Sequence, residues 1–167
     1  MTTRQLQSIN QLIIHCTATP NGRKVSLNDI DHWHGADRKA RGLKPFQRDP
    51  VNISTFNPNY SHIGYHLLIN TYGGVFSGRS LAEVGAHARG HNARSVGLCL
   101  AGTDQYSPAQ WQALKAQCLG YQRRFDGIEI IGHNQINPNK SCPGFDVADW
   151  LSKKMKPPAK NILRKIK

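Results

Sequence analysis

Short apolar runs separated by polar clusters set the rhythm of this chain. QLIIH (11–15) is a brief apolar stretch ending in a polar group, the pattern of a buried strand. GYHLLIN (64–70) and VFSGR (75–79) flank the glycine-bearing TYGG (71–74), which predicts a β-hairpin. SVGLCLAG (95–102) and GIEIIGH (127–133) read as two further buried strands. Helical signals lie between them. Ser26 is an N-cap for a helix to about Arg41, with Asp29 completing a capping box. Ser107 and Pro108 start a longer amphipathic helix that runs to about Phe125, the proline standing at its first position. A short helix follows from Asp146 through VADWL. Strands alternating with helices predict an α/β fold, a single domain with a central mixed β-sheet flanked by helices. Residues 42–63 hold three prolines and several asparagines and serines, so this stretch reads as one long irregular segment. The stretch after His133, NQINPNKSCPG, reads as a loop.

A chain of 167 residues has room for one well-formed core. The domain is expected over 1–151, with 42–62 as an insertion-like loop and 152–167 as a basic C-terminal tail. Hydrophobic residues at 38% and charged residues at 19% argue against wholesale disorder. No apolar run approaches the roughly 20 residues of a membrane helix. The N-terminus lacks the apolar stretch of about 7–15 residues that a secretory signal needs, so synthesis in a cytoplasm is expected.

Charge changes the picture at one end. The net charge is +12, and the stretch from Ser152 to Lys167 holds seven basic residues and no acid. Such a block is a solvated arm or a patch for a polyanion, whether nucleic acid, anionic lipid or anionic wall polymer. The apolar Ile162, Leu163 and Ile166 lie among these charges, and the tail is expected to be disordered until it meets such a surface. The four cysteines contain no CxxC pair; Cys99 and Cys118 read as small buried hydrophobes.

Candidate chemistry gathers at two strand ends, His15 and His133. Ligands in α/β proteins collect just beyond strand ends, where loops bring side chains together. Cys142 lies nine residues after His133, with Lys140 two residues before it. Two imidazoles and a thiolate suit a catalytic zinc site, which keeps three protein ligands and an open fourth position. The 118 residues between His15 and His133 leave their meeting undecided by spacing. His32 and His34, two apart on a predicted helix, face different directions and are set aside as solvated or locally packed. His66 follows Tyr65 in a strand and points to the opposite, core face. Trp33, Trp111 and Trp150 lie on predicted helices and read as core.

IIHCTAT (13–19), IGYHLLI (63–69), GAHARGHNARSVGLCLAG (85–102) and GHNQINPNKSCPGFD (132–146) resemble, in order, the zinc-dependent N-acetylmuramoyl-L-alanine amidases, a family that includes amidase-type phage lysozymes and animal peptidoglycan recognition proteins. The resemblance covers roughly residues 9–151 apart from 42–62. It implies one zinc ion per chain on His15, His133 and Cys142, with Tyr65 and Lys140 as catalytic groups. It places His87, Arg89 and Asn92 beside the cleft as substrate-binding residues. It implies hydrolysis of the amide bond between N-acetylmuramic acid and L-alanine in peptidoglycan by a phage or prophage endolysin. Such an enzyme would be made in the host cytoplasm and reach the wall through a separate pore-forming protein. A monomer is expected, with peptidoglycan as partner and anionic envelope polymers or lipids as targets of the tail.

Other functions compete less well. Recognition proteins that lack the cysteine bind peptidoglycan without cutting it, but Cys142 and Tyr65 are both present here. A muramidase needs a carboxylic acid, usually with a second carboxylate, and the chain has only Glu83 and Glu129, at no recognisable spacing. The charge alone suggests a nucleic-acid- or polymerase-binding protein, yet there is no zinc-finger spacing and no aromatic-rich RNA-binding strand; no specific nucleic acid is expected.

Overall fold

A computed structural model describes residues 2–166; Met1, and Lys167 of the basic tail, lie outside the described residues. Five strands form one mixed sheet: β1 (Gln11–Cys16), β2 (Leu67–Ile69), β3 (Val75–Ser77), β4 (Ser95–Leu100) and β5 (Glu129–Gly132). Their spatial order is β3-β2-β4-β1-β5. Only the β2–β3 hairpin is antiparallel; β4 pairs in parallel with β2 and β1, and β1 with β5. The expected α/β class and its mixed sheet are therefore borne out. Every residue of β1 and β4 is buried, as befits parallel strands covered on both faces.

Around the sheet lie the helices α1 (Leu27–His32), α2 (Pro50–Thr55), α3 (Pro108–Arg124), α4 (His133–Ile136) and α5 (Val147–Ser152). The capping box at Ser26 and the N-cap at Ser107 form as the sequence predicts, and Gln110 completes a second capping box at Ser107. A π-helical turn, Trp33–Asp37, carries α1 on into Arg38–Ala40. Alternation along β1 divides the interior in two. Leu12, Ile14 and Cys16 pack in the cluster that contains Trp111, Leu114 and Cys118 of α3 and Trp150 of α5. Ile13 turns to the other face, against Ala88, Ile131 and Ile136.

Three sequence expectations need correction. Residues 42–63 are not wholly irregular, because Asp49 caps α2 by accepting from the Val51 N–H, with Pro50 at its first turn. The loop after His133 begins with the single turn of α4. The tail is ordered through Leu163: the Trp111 indole N–H donates to the Asn161 carbonyl, and the Asn161 amide donates to the carbonyls of Asp104 and Gly144. Tyr106 N–H donates to Asn161 and Leu163 N–H to Tyr106, and Ile162 packs on the main cluster. A buried asparagine with three such bonds outweighs the repulsion of a basic segment in water.

His66 is core, as expected. Gly97 N–H donates to its Nδ1 at 3.0 Å, which leaves Nε2–H to donate to the Glu83 carbonyl at 2.8 Å. Burial holds its pKa down at about 3, and burial likewise lowers that of His34 to about 4. Both stay neutral in the fold while the unfolded chain takes protons below about 6.5, so their contribution is present above that pH and lost as pH falls. With a chelator present, these two histidines alone are expected to lower the unfolding free energy by roughly 4 kcal/mol between pH 7.5 and 5, about 2 each, and the buried His15 and His87 add to that fall. Urea midpoints at the two pH values check this; equal midpoints would contradict it.

Candidate active site

Parallel strands put their C-terminal ends on one side, and the site lies there. His15 sits at the penultimate position of β1, on the same face as Ile13. His133 follows β5, the strand paired with β1, and opens α4. Cys142 returns from the loop beyond. The Asn134 N–H donates to its carbonyl at 2.8 Å, and the Asn134 amide donates to the carbonyls of Ser141 and Phe145, folding the loop back on α4. One ligand atom from each of His15, His133 and Cys142 lies within 4.8 Å of the others; among the described residues this is the one such group. Two imidazoles and a thiol at this separation fit a zinc-sized cation with a position left open.

The surrounding hydrogen bonds set the protonation of His15. Ser95 Oγ donates to the His91 carbonyl at 2.8 Å, so it accepts from His87 Nε2–H at 3.3 Å. His87 Nδ1 then carries a lone pair and accepts from His15 Nε2–H at 2.8 Å. The Nδ1 lone pair of His15 is thereby left for a cation. Burial lowers the pKa of both rings, which keeps them neutral. This is how a partner orients a ligating imidazole. The close approach needs Gly97, where an added Cβ would stand 2.6 Å from the His87 ring.

At Cys142 the Cys16 side chain and burial push the thiol above its ordinary range, while the Cys16 backbone N–H at 3.1 Å pulls the other way. A bound cation decides that balance in favour of the thiolate. The Tyr65 ring lies 5.1 Å from that of His15, and burial raises its hydroxyl pKa, so it remains a neutral donor. Lys140 is exposed on the loop leading to Cys142.

These groups line a cleft of about 1290 Å³. Of the remaining candidates, His87 reaches it but its ring nitrogens are taken by His15 and Ser95. Asn92 lines the cleft too, and its Oδ1 accepts from the N–H groups of His87 and Ala88, which shapes the loop there. Arg89 stands exposed at the rim. The long segment contributes Phe46, under the Arg38 guanidinium at 4.1 Å.

Two residues set aside in the sequence belong here. Trp33, expected in the core, is half-buried and lines the cleft. His34 lines it too: its Nδ1 accepts from the Gly64 N–H at 2.9 Å, which leaves Nε2–H as a donor, and its ring packs 4.8 Å from Phe46 and 5.3 Å from Tyr65. His32 points outward to Asp37 at 3.3 Å. The helical spacing that separated His32 from His34 was the available signal, since one of two such residues must turn inward.

The family model for N-acetylmuramoyl-L-alanine amidase matches residues 5–145. The chain is 29% identical over 158 residues to the endolysin of Escherichia phage T7, covering 90% of each. It is 30% identical over 155 residues to the endolysin of Klebsiella phage KP32, covering 88% of each. A solved endolysin amidase from Clostridium intestinale superposes with a TM-score of 0.67 at 23% identity, over 93% of this chain and 88% of that one, a likeness of fold.

Proposed function

The chain belongs to the N-acetylmuramoyl-L-alanine amidase family, and on that premise we propose that it is a zinc-dependent endolysin that hydrolyses the amide bond between N-acetylmuramic acid and L-alanine in peptidoglycan. The observation that carries the metal part is the convergence of His15, His133 and Cys142 within 4.8 Å on the floor of the cleft. When bound there, zinc supplies Lewis-acid polarisation of the scissile carbonyl and lets water serve as nucleophile at neutral pH. The side chains do the rest. Tyr65, a neutral O–H beside His15, donates to the carbonyl oxygen as negative charge builds on it. Lys140 brings an ammonium to the same side and stabilises that charge. His87 holds the His15 ring in one tautomer. Arg38, Arg41 and Arg89, with Lys140, surround a cleft whose one acidic lining residue among those described is Asp37. That field suits the carboxylates of a peptide stem. Delivery to the wall through a separate pore-forming protein belongs to the same proposal.

A glycan-cutting reaction finds no carboxyl pair in the cleft. Glu83 is buried against Arg48, and Glu129 is held by the Gln11 amide at the opposite end of β1 from His15, roughly 13 Å along the strand. Digestion of purified peptidoglycan should therefore release new amino termini without new reducing ends. A chelator should stop the release and added zinc restore it. Reducing ends released instead would overturn the reading.

Tyr65→Phe is expected to keep its zinc and lose about 10²–10³ in rate, the usual effect of removing one donor to a developing oxyanion. Lys140→Ala, being more exposed, is expected to keep zinc and lose less. Metal content and initial rates, measured side by side, check both; loss of zinc in either variant would mean that ligand and catalyst are misassigned.

A further inference from the structure

A second cavity of about 430 Å³, sharing no lining residue with the cleft, lies where the ordered C-terminal segment folds back on the N-terminal part of α3. Its floor is apolar, made by Pro108 and Trp111 of α3 and by Met155, Pro157 and Ile162. The chain reaches this position through two consecutive residues in the left-handed region, Lys154 and Met155, at φ of 55° and 60°. Three ammonium groups ring the opening, those of Lys115, Lys154 and Lys156, all exposed. None of the described residues that line it is acidic.

The backbone around the cavity narrows the class of occupant. The N–H groups of Trp111, Met155, Lys156 and Ile162 donate to Ser107, Trp150, Lys153 and Ala159, and two of the lining residues are prolines. The Trp111 indole N–H is held by Asn161. No donor of this set is free to pair with an extended peptide, which binds through main-chain hydrogen bonds. What the cavity offers is apolar area with positive charge at its mouth. Its volume lies within the range of small-ligand sites.

We propose that this cavity binds an anionic phospholipid, taking an acyl chain against Trp111 and Ile162 and its phosphate among Lys115, Lys154 and Lys156. This goes beyond the amidase reading and does not depend on the metal site. It gives the basic C-terminal segment a built receptor, so the enzyme can be held at a membrane surface while its cleft, formed by other elements, faces the wall polymer. Lysine stems lie along apolar surface and keep their charge at the head-group level. Each lysine beside an anionic head group is worth about fivefold in affinity before screening.

The test uses the full chain and soluble dihexanoyl phosphatidylglycerol below its micelle concentration, followed by the Trp111 indole N–H resonance. Saturable shifts are expected, with dihexanoyl phosphatidylcholine at least about tenfold weaker and inorganic phosphate without effect on this resonance. The triple variant Lys115→Gln, Lys154→Gln, Lys156→Gln should bind phosphatidylglycerol at least about tenfold more weakly. The control triple Lys39→Gln, Lys44→Gln, Arg123→Gln, with the same charge loss elsewhere, should bind as the parent does. The lysine triple should still cleave a soluble muramyl-peptide at the parent rate. Equal affinity for the two lipids, saturation by phosphate alone, or equal weakening in the two triples would overturn the proposal. So would a fall in muramyl-peptide cleavage that parallels the loss of lipid binding. Displacement of phosphatidylglycerol by an acidic peptide that binds more tightly would make the occupant a protein segment and equally overturn it.

Discussion

Cys142→Ser is expected to lose its zinc and, with it, at least about 10³ of the amidase rate. Structural zinc on comparable donor sets is bound with an apparent 10–16 kcal/mol, so one of three ligands carries roughly 4 kcal/mol, about three decades in affinity. In the proposed site this side chain would in addition be the one anionic ligand, and a serine hydroxyl does not deprotonate to replace it. His133→Ala should behave alike, because its ring opens α4 and nothing else from that turn belongs to the donor group. The measurement is elemental zinc per chain together with amino termini released from purified peptidoglycan. A Cys142→Ser protein that holds no zinc and still cleaves at the parent rate would end the metal reading. Its contrast with Tyr65→Phe, which should keep zinc, separates holding the metal from performing the chemistry.

Glu83→Ala is expected to destabilise the fold by about 3–5 kcal/mol, the usual result of removing one partner from a buried ion pair. The Glu83 side chain is 1% exposed and that of Arg48 is fully buried. The carboxylate accepts from Arg48 Nε at 2.9 Å and Nη2 at 3.0 Å, with Arg79 Nη1 at 3.6 Å. Its removal leaves two guanidinium groups buried without a counter-charge. Arg48 also donates to the carbonyls of Phe56, Asn57 and Tyr60, so the same ion pair ties residues 42–62 to the domain. The melting temperature should fall by roughly 8–16 °C at this chain length. A fall of less than about 2 °C would show that the long segment is held by something other than this pair.

Much of the architecture was legible because the signals are local. The strands at 11–16 and 95–100 stand out as apolar runs, and the helix at 108–124 announces itself by serine and proline at its start. The start of α2 at Asp49-Pro50 carried the same signature but was lost in a segment judged by its overall composition. The donor group that could hold a metal was legible in kind, as two histidines at strand ends and a cysteine in the loop after the second, and the family resemblance supplied their grouping. His34 was not, since its place in the cleft wall depends on the Gly64 N–H, 30 residues on, holding its Nδ1.

The sequence by itself determined the element types, their order, the caps and the residue types available for chemistry, because those follow from period, turn chemistry and side-chain identity over a few neighbouring positions. Only the tertiary structure decided that His15 and His133 meet, through the parallel pairing of β1 with β5 across 118 residues of chain. It decided the tautomer of His15 through His87 and Ser95, and it made Asn92 a brace for the His87 loop at the cleft wall. It also decided the fate of the basic tail, in which charge and length argued for disorder and a buried Asn161 bonded to Trp111, Asp104 and Gly144 imposed order. In each case the deciding term is the need of a buried polar group for a partner, and that partner comes from a part of the chain no local pattern can name.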